Sequence, residues 1–170
     1  AGHITQGAGE YPLSANGRLQ ARHAAAALQA LNPTLVVASD LGRAVETAMT
    51  IFGRIDHQDA RLRERGAGQW EGRPRSELEA IHPGALENDA LRPDGFEPIQ
   101  DVVERMRSAT RDLLDGNAIV VAFTHGAVMR ALDKDLGGDG KRFDHLEALI
   151  IEAGPVIVGR QHFAIKGTSV

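Results

Sequence analysis

His125 follows the apolar run Ile119–Thr124 and precedes Gly126, which puts it at a strand-to-helix turn. A histidine there points into the crevice at the carboxyl end of a sheet, beside helix N–H groups that favour anions. The bland alternative is a histidine that merely caps the turn. Arg43 falls in the first turn of a helix that follows another strand. A cation at that end opposes the helix dipole, so a bound anion or a carboxylate would have to justify it; the alternative is a plain surface arginine. Glu64 lies in Leu62-Arg63-Glu64-Arg65, just ahead of a glycine-flanked loop that carries the only tryptophan, Trp70. A loop of this kind over a crevice is a place for a general acid. Trp70 itself reads better as a hydrophobic plug. If the three polar residues meet, they form one anion-sized pocket.

Other chemistries lack their residues. No GxxxxGK[ST] loop exists, because Gly140-Lys141 is followed by Arg142; no GxGxxG follows a strand and no GxSxG elbow is present. The 7 histidines show neither HExxH nor close ligand pairing, and cysteine is absent, so no metal, no cofactor, no disulfide and no thiol nucleophile is expected. The charge balance, 19 basic against 23 acidic residues, argues against nucleic acid as a main partner. No apolar run of about 18 residues and no charged-then-apolar leader occur, so no membrane association is expected and the expected location is cytoplasmic. Of the basic residues only Lys134, Lys141 and Lys166 are lysines. Arginine's planar fork suits phosphate, though genome composition gives the same bias.

The elements that must position these residues are legible. With 170 residues, 42% apolar and 25% charged, the chain suits a single soluble domain spanning 1–170. Ser14 is a plausible N-cap for an alanine-rich helix that runs to Leu31 and stops at Asn32-Pro33. Leu35–Ala38 reads as a buried strand, after which Ser39-Asp40 supplies capping oxygens to a helix carrying Leu41, Ala44, Val45, Ala48, Ile51 and Phe52. Residues 61–98 read as a long irregular excursion with one short helix near Ser76–Ile81. Pro98 opens a helix that Asp115-Gly116 ends. Ala118–Thr124 has the continuous apolar character of an interior parallel strand. Gly126–Leu136 is helical, and the tail Leu146–Val170 reads as one or two strands. Alternating strand and helix predict an α/β fold: a three-layer sandwich with a mostly parallel central sheet and helices on both faces.

Five segments, in order, resemble elements of the histidine phosphatase superfamily, the phosphoglycerate mutase-like enzymes that include α-ribazole phosphatase. Pro12-Leu13-Ser14 with Gly17, Gln20 and Ala21 is similar to its PLSxxGxxQA element. Ser39-Asp40-Leu41, Arg43-Ala44 and Thr47-Ala48 resemble SDLxRAxxTA, and Leu62-Arg63-Glu64 through Trp70-Glu71-Gly72 resemble LRE…GxWEG. Gly95-Phe96-Glu97 with Asp101 and Arg105 is similar to GGES…D…R, and Ala122–Gly126 resembles VxHGG. The resemblance implies a phosphomonoesterase acting on a small phosphorylated metabolite through a phosphohistidine. It implies Arg43 as a phosphate clamp, Glu64 as the proton donor to the leaving group, and His125 as the second histidine of the pocket. Phosphoryl transfer needs such pre-aimed donors around the charged oxygens.

The chain departs from the family at the nucleophile, which normally sits in RHGxT after a first apolar strand. Here the residues are Ala1-Gly2-His3-Ile4-Thr5. One registration places Gly2 on the motif glycine, a second makes His3 the nucleophile, and a third aligns Thr5 with the motif threonine. Gly2 and Thr5 are therefore candidate phosphate-binding residues and His3 a candidate catalytic one. The family's first strand has no counterpart, and its neighbours would be left with unpaired backbone groups. Another segment could fill that place, and a homodimer is one way to do so. Two alternatives to the phosphatase stand: a phospholigand-binding relative without the nucleophile, and a mutase, which the compact chain disfavours.

Overall fold

The computed structural model describes residues 4–86, 88–92, 94–116, 119–152 and 156–162. α1 (Ala15–Gln29) begins at Ser14, whose hydroxyl accepts from the Gly17 N–H at 3.0 Å. The cap satisfies one of the helix's orphan donors. α1 buries Ala21, Ala24 and Leu28, small side chains that let α2 (Gly42–Phe52) approach and seat Ile51 between them.

β1 (Leu35–Ala38) is the centre of a three-stranded parallel sheet of order β2-β1-β3. β3 (Val120–Phe123) pairs with β1 from Leu35↔Val120 to Ala38↔Phe123, and β2 (His57–Gln58) pairs along the other edge. Because side chains alternate along a strand, Val36 and Ala38 point to the α2 side, against Ala48 and Phe52. Val37 points the opposite way, into a core with Leu62, Val102, Met106, Ala109, Val128, Ala131 and Leu132. Apart from Leu62, which lies in a 3-10 turn, the partners of Val37 come from α4 (Ile99–Leu114) and α5 (Gly126–Asp135), so helices cover both faces, as the alternation of elements predicts.

One expectation fails in detail. The apolar run before His125 predicts a strand inside the sheet, but among the described residues β3 pairs only with β1 and leaves Ala122 exposed. Continuous hydrophobicity reports burial of the two faces and says nothing about whether a strand's second edge is paired. The tail forms two strands, β4 (Glu147–Glu152) and β5 (Val156–His162), in a separate antiparallel pair; the rest of the expected tail, residues 163–170, lies outside the described residues. Leu149 and Ile151 lay that pair on the main core. Arg160 of β5 pairs with the buried Asp133 of α5 and lies over the Phe143 ring at 4.1 Å.

The excursion between residues 61 and 98 holds α3 (Arg75–Ile81), as expected, and also short 3-10 turns at 60–62, 68–70 and 89–91. Trp70 is the expected plug: it is buried with Ala67, Leu78 and Ala85, stacks on His82 and meets Phe96 edge-on.

Candidate functional site

Both strand-to-helix turns named by the sequence lie at the same end of the parallel pair β1–β3. The Ser39 N–H donates to the Phe123 carbonyl at 2.8 Å, which locks the two turns together. The capping role expected of Ser39 and Asp40 is not what they do. α2 starts one residue later, with Leu41 as a cap that offers no side-chain bond. The Asp40 carboxylate instead forms a two-pronged pair with Arg63, at 2.7 and 2.6 Å. The buried Ser39 hydroxyl accepts from the Leu41 N–H at 3.3 Å and sits 3.0 Å from Nε2 of His125.

His125 is the N-cap of α5 in extended conformation, and its ring is buried. Burial, then the charges of Arg43 and Arg105, push its pKa down to about 3, with Asp40 opposing. The imidazole is therefore neutral at physiological pH. Arg43 occupies the first turn of α2 as expected and donates to the carbonyls of Gly9 and Gly7, each at 2.9 Å. Burial lowers its pKa, while the nearby Glu64, Glu10 and Glu71 raise it. These carbonyls and carboxylates are what justify a cation at that helix end. Gly7 has φ +52°, and a Cβ there would lie 2.5 Å from Glu71 Oε1, so the loop under Arg43 requires glycine.

Glu64 reaches across to α5. One carboxylate oxygen accepts from the Arg65 N–H at 2.8 Å and the other from the Ala127 N–H at 3.4 Å, two residues past His125. Burial raises its pKa, against the pull of those N–H groups and of Arg43. A carboxyl that holds its proton more tightly than usual suits a general acid. The loop bearing Glu64 is fixed by Arg105, which donates to the carbonyls of Arg61, Arg63 and Glu64 and pairs with Glu97. Glu97 in turn accepts from the Gly66 N–H at 2.9 Å.

Arg43, Glu64 and His125 are thus brought within electrostatic reach of one another. Thr5 is tied elsewhere: its N–H donates to Arg73 O and its carbonyl accepts from Gly72 N–H, while its buried hydroxyl has no partner. Gly2 and His3 lie outside the described residues. Sequence reasoning missed Ser39 as a partner of His125, because a serine after a strand looks the same whether it caps a helix or reaches a neighbouring turn. A cavity of about 450 Å³ beside Arg65, Asp89, Arg92 and Phe96 includes none of the three clustered residues. Among the described residues no group of three or more His, Cys, Asp or Glu could hold a metal ion, and no helix is long and apolar enough to cross a membrane.

A cation, a neutral imidazole and a carboxyl whose pKa is raised, gathered at the start of two helices, are groups that a phosphate ester could use. Comparison with known proteins decides the lineage. The model of the histidine phosphatase superfamily (branch 1) matches residues 1–153. The chain belongs to the histidine phosphatase superfamily. It is 34% identical over 152 residues to glucosyl-3-phosphoglycerate phosphatase of Mycobacterium tuberculosis, covering 79% of this chain and 68% of that one. It is 30% identical over 167 residues to fructose-2,6-bisphosphatase TIGAR B of Danio rerio, covering 91% of this chain and 65% of that one. The solved complex of mycobacterial glucosyl-3-phosphoglycerate phosphatase with inorganic phosphate superimposes with TM-score 0.69 at 33% identity, over 79% of this chain and 73% of that one. Within this superfamily the five resembling segments acquire physical meaning: two build the strand-to-helix turns, and Glu97 with Arg105 straps down the segment that carries Glu64.

Proposed function

We propose that this histidine phosphatase hydrolyses a small phosphorylated metabolite, with Arg43 clamping the phosphoryl oxygens, His125 donating to one of them, and Glu64 protonating the leaving oxygen. The observation that carries the reading is the burial of Glu64 and His125 within electrostatic reach of Arg43: burial raises the pKa of the acid and keeps the imidazole neutral, and the cation acts on both. In the transfer step a histidine nitrogen bonds to phosphorus as the ester P–O bond breaks, and the departing oxygen takes the Glu64 proton. Water then attacks the phosphohistidine and gives its proton to the Glu64 carboxylate. The attacking imidazole is His3, or one placed next to Gly2, according to the registration of the N-terminal motif. The substrates named for the relatives, a glycosylated phosphoglycerate and a fructose bisphosphate, favour a polyanionic sugar phosphate.

A second reading, a phospholigand-binding relative, draws on the described histidines. Among the histidines whose exposure is described, His23, His57, His82 and His145 are exposed rather than part of the Arg43 cluster, and His125 is the buried one there. Para-nitrophenyl phosphate hydrolysis separates the two. The chain beginning at Ala1 is expected to turn over poorly, and a version extended with an apolar strand and Arg-His before Gly2 is expected to be orders of magnitude faster. Equal, robust turnover by both would point to His3, which His3→Ala then tests. No turnover by either, with phosphate still bound, would support the binding protein.

A further inference from the structure

Ser39 is the one fully buried polar side chain of the cluster that the proposed chemistry does not use. Its oxygen already accepts the Leu41 N–H, so the hydroxyl proton needs an acceptor of its own. Among the described residues the remaining partner of that hydroxyl is Nε2 of His125, at 3.0 Å. If Nε2 instead donated to Ser39, the serine proton would be buried without an acceptor, which costs more than the bond gained. On the other side of the ring, Nδ1 has no partner among the described residues and is not sealed from solvent. A neutral imidazole has one protonated nitrogen, and the partner of the other decides which.

We propose that Ser39 is a positioning residue that donates to Nε2 of His125, holds the ring in its Nδ1–H form and so presents an N–H, rather than a lone pair, to a phosphoryl oxygen. The proposal rests on the phosphatase reading of the site for its anion and on the hydrogen bonds alone for its tautomer. A lone pair facing an anionic oxygen would repel it, so an unpinned ring spends part of its time in a form that opposes binding. The same hydroxyl accepts from the Leu41 N–H, so one serine ties the His125 ring to the residue that precedes α2.

The test is ¹⁵N NMR of the ring nitrogens of His125, with inorganic phosphate as the probe. In the unaltered chain Nδ1 is expected to read as protonated and Nε2 as a hydrogen-bonded acceptor. Ser39→Ala should move both signals toward a mixture of tautomers and weaken phosphate binding about tenfold. Ser39→Cys, close in volume and a weaker donor, should fall between the two and guards against an alanine variant that fails to fold. In the version extended with Arg-His, Ser39→Ala should lower kcat more than it raises KM. Unchanged ring signals in either variant would overturn the proposal, as would a tautomer shift with unchanged phosphate affinity. If the unaltered chain bound no phosphate, the phosphatase reading and the anion half of this proposal would both fall, while the ring signals would still decide the Ser39–His125 bond.

Discussion

The two strand-to-helix turns of the sheet solve one problem in two ways. Neither α2 nor α5 carries its own side-chain cap: Leu41 cannot offer one and His125 does not. Each helix instead borrows a carboxylate from far along the chain. Glu10 accepts from Gly42 N–H at 3.1 Å, and Glu64 from Ala127 N–H at 3.4 Å. The turns differ in what the borrowed carboxylate meets. Glu10 is exposed to water; Glu64 is drawn inside, where burial favours its protonated form. A serine or aspartate cap on either helix would stabilise it by about 1 kcal/mol but would fill the N–H groups that an anion needs. Each borrowed carboxylate takes one N–H and leaves the other N–H groups of the first turn without a side-chain cap of the helix's own.

The largest difference between the turns should appear on removing their functional side chains. Arg43→Ala takes away the clamp and also the bonds to Gly7 and Gly9 that shape the adjoining loop. Turnover of the version extended with Arg-His is expected to fall at least about 10³-fold, with phosphate affinity down roughly a hundredfold. Arg43→Lys should recover little of either, because an ammonium cannot span two acceptors with a planar fork. Glu64→Gln should behave differently. Its cost in kcat is expected to be about 10²-fold for an alkyl phosphate, but only a few-fold for para-nitrophenyl phosphate, whose leaving group needs little protonation. Similar losses on the two substrates would remove Glu64 from the role of proton donor.

The turns should also slope oppositely with pH. His125 titrates at about 3 when folded and near 6.5 when free. Between those values the unfolded chain holds the extra proton, so the contribution of His125 is complete above about pH 6.5 and is lost as pH falls toward 3. Each pH unit between the two values corresponds to roughly 1.4 kcal/mol, which makes the contribution several kcal/mol. Urea midpoints measured against pH should show a steep acid limb that His125→Asn flattens. For Glu64 the folded value is raised above the ordinary 4.5, so its stability is present at low pH and lost as pH rises through the raised value. Glu64→Gln should therefore gain on the unaltered chain as pH rises from about 4.5 through the raised value. A constant offset across that range would show that Glu64 is not protonated abnormally in the fold.

What the sequence makes legible divides along the same line. Helices and strands that owe their existence to local pattern can be read: Ser14 caps α1 where its hydroxyl predicts, and Leu35–Ala38 is the buried strand its apolar run implies. Arg43 and His125 stand out by their place after strands and Glu64 by the glycine-flanked loop that follows it, but the roles proposed for them come from the family resemblance, since Arg43 by position alone reads better as a surface arginine. Ser39, Glu10 and Glu71 are not legible, because their partners are 86, 32 and 63 residues away and sequence spacing holds no trace of such contacts. Among the described residues β3 pairs only with β1; its own apolar run does not reveal this, although the lack of a counterpart to the family's first strand predicts unpaired neighbours. Whether a strand has one neighbour or two depends on segments distant in the chain, while its own residues record only the helices packed on its faces.

The smallest effect is expected from Glu10, and it bears most directly on why the two carboxylates differ. Glu10 occupies the first N–H of α2 and adds negative potential at Arg43 and Arg63. An incoming phosphate must share that region with it. Glu10→Gln keeps an acceptor for Gly42 N–H and removes only the charge, so thermal stability should be unchanged within error. Phosphate affinity should rise about threefold at low ionic strength, and the gain should vanish at about 1 M salt, where charges more than about 3 Å apart are screened. The equivalent change at the other turn, Glu64→Gln, should raise phosphate affinity less, since burial favours the uncharged form of that carboxyl, which repels no anion. Isothermal titration with inorganic phosphate at two salt concentrations distinguishes the turns. Equal gains from both substitutions would mean that burial does not suppress the charge of Glu64, and that depth alone does not separate the two helix starts.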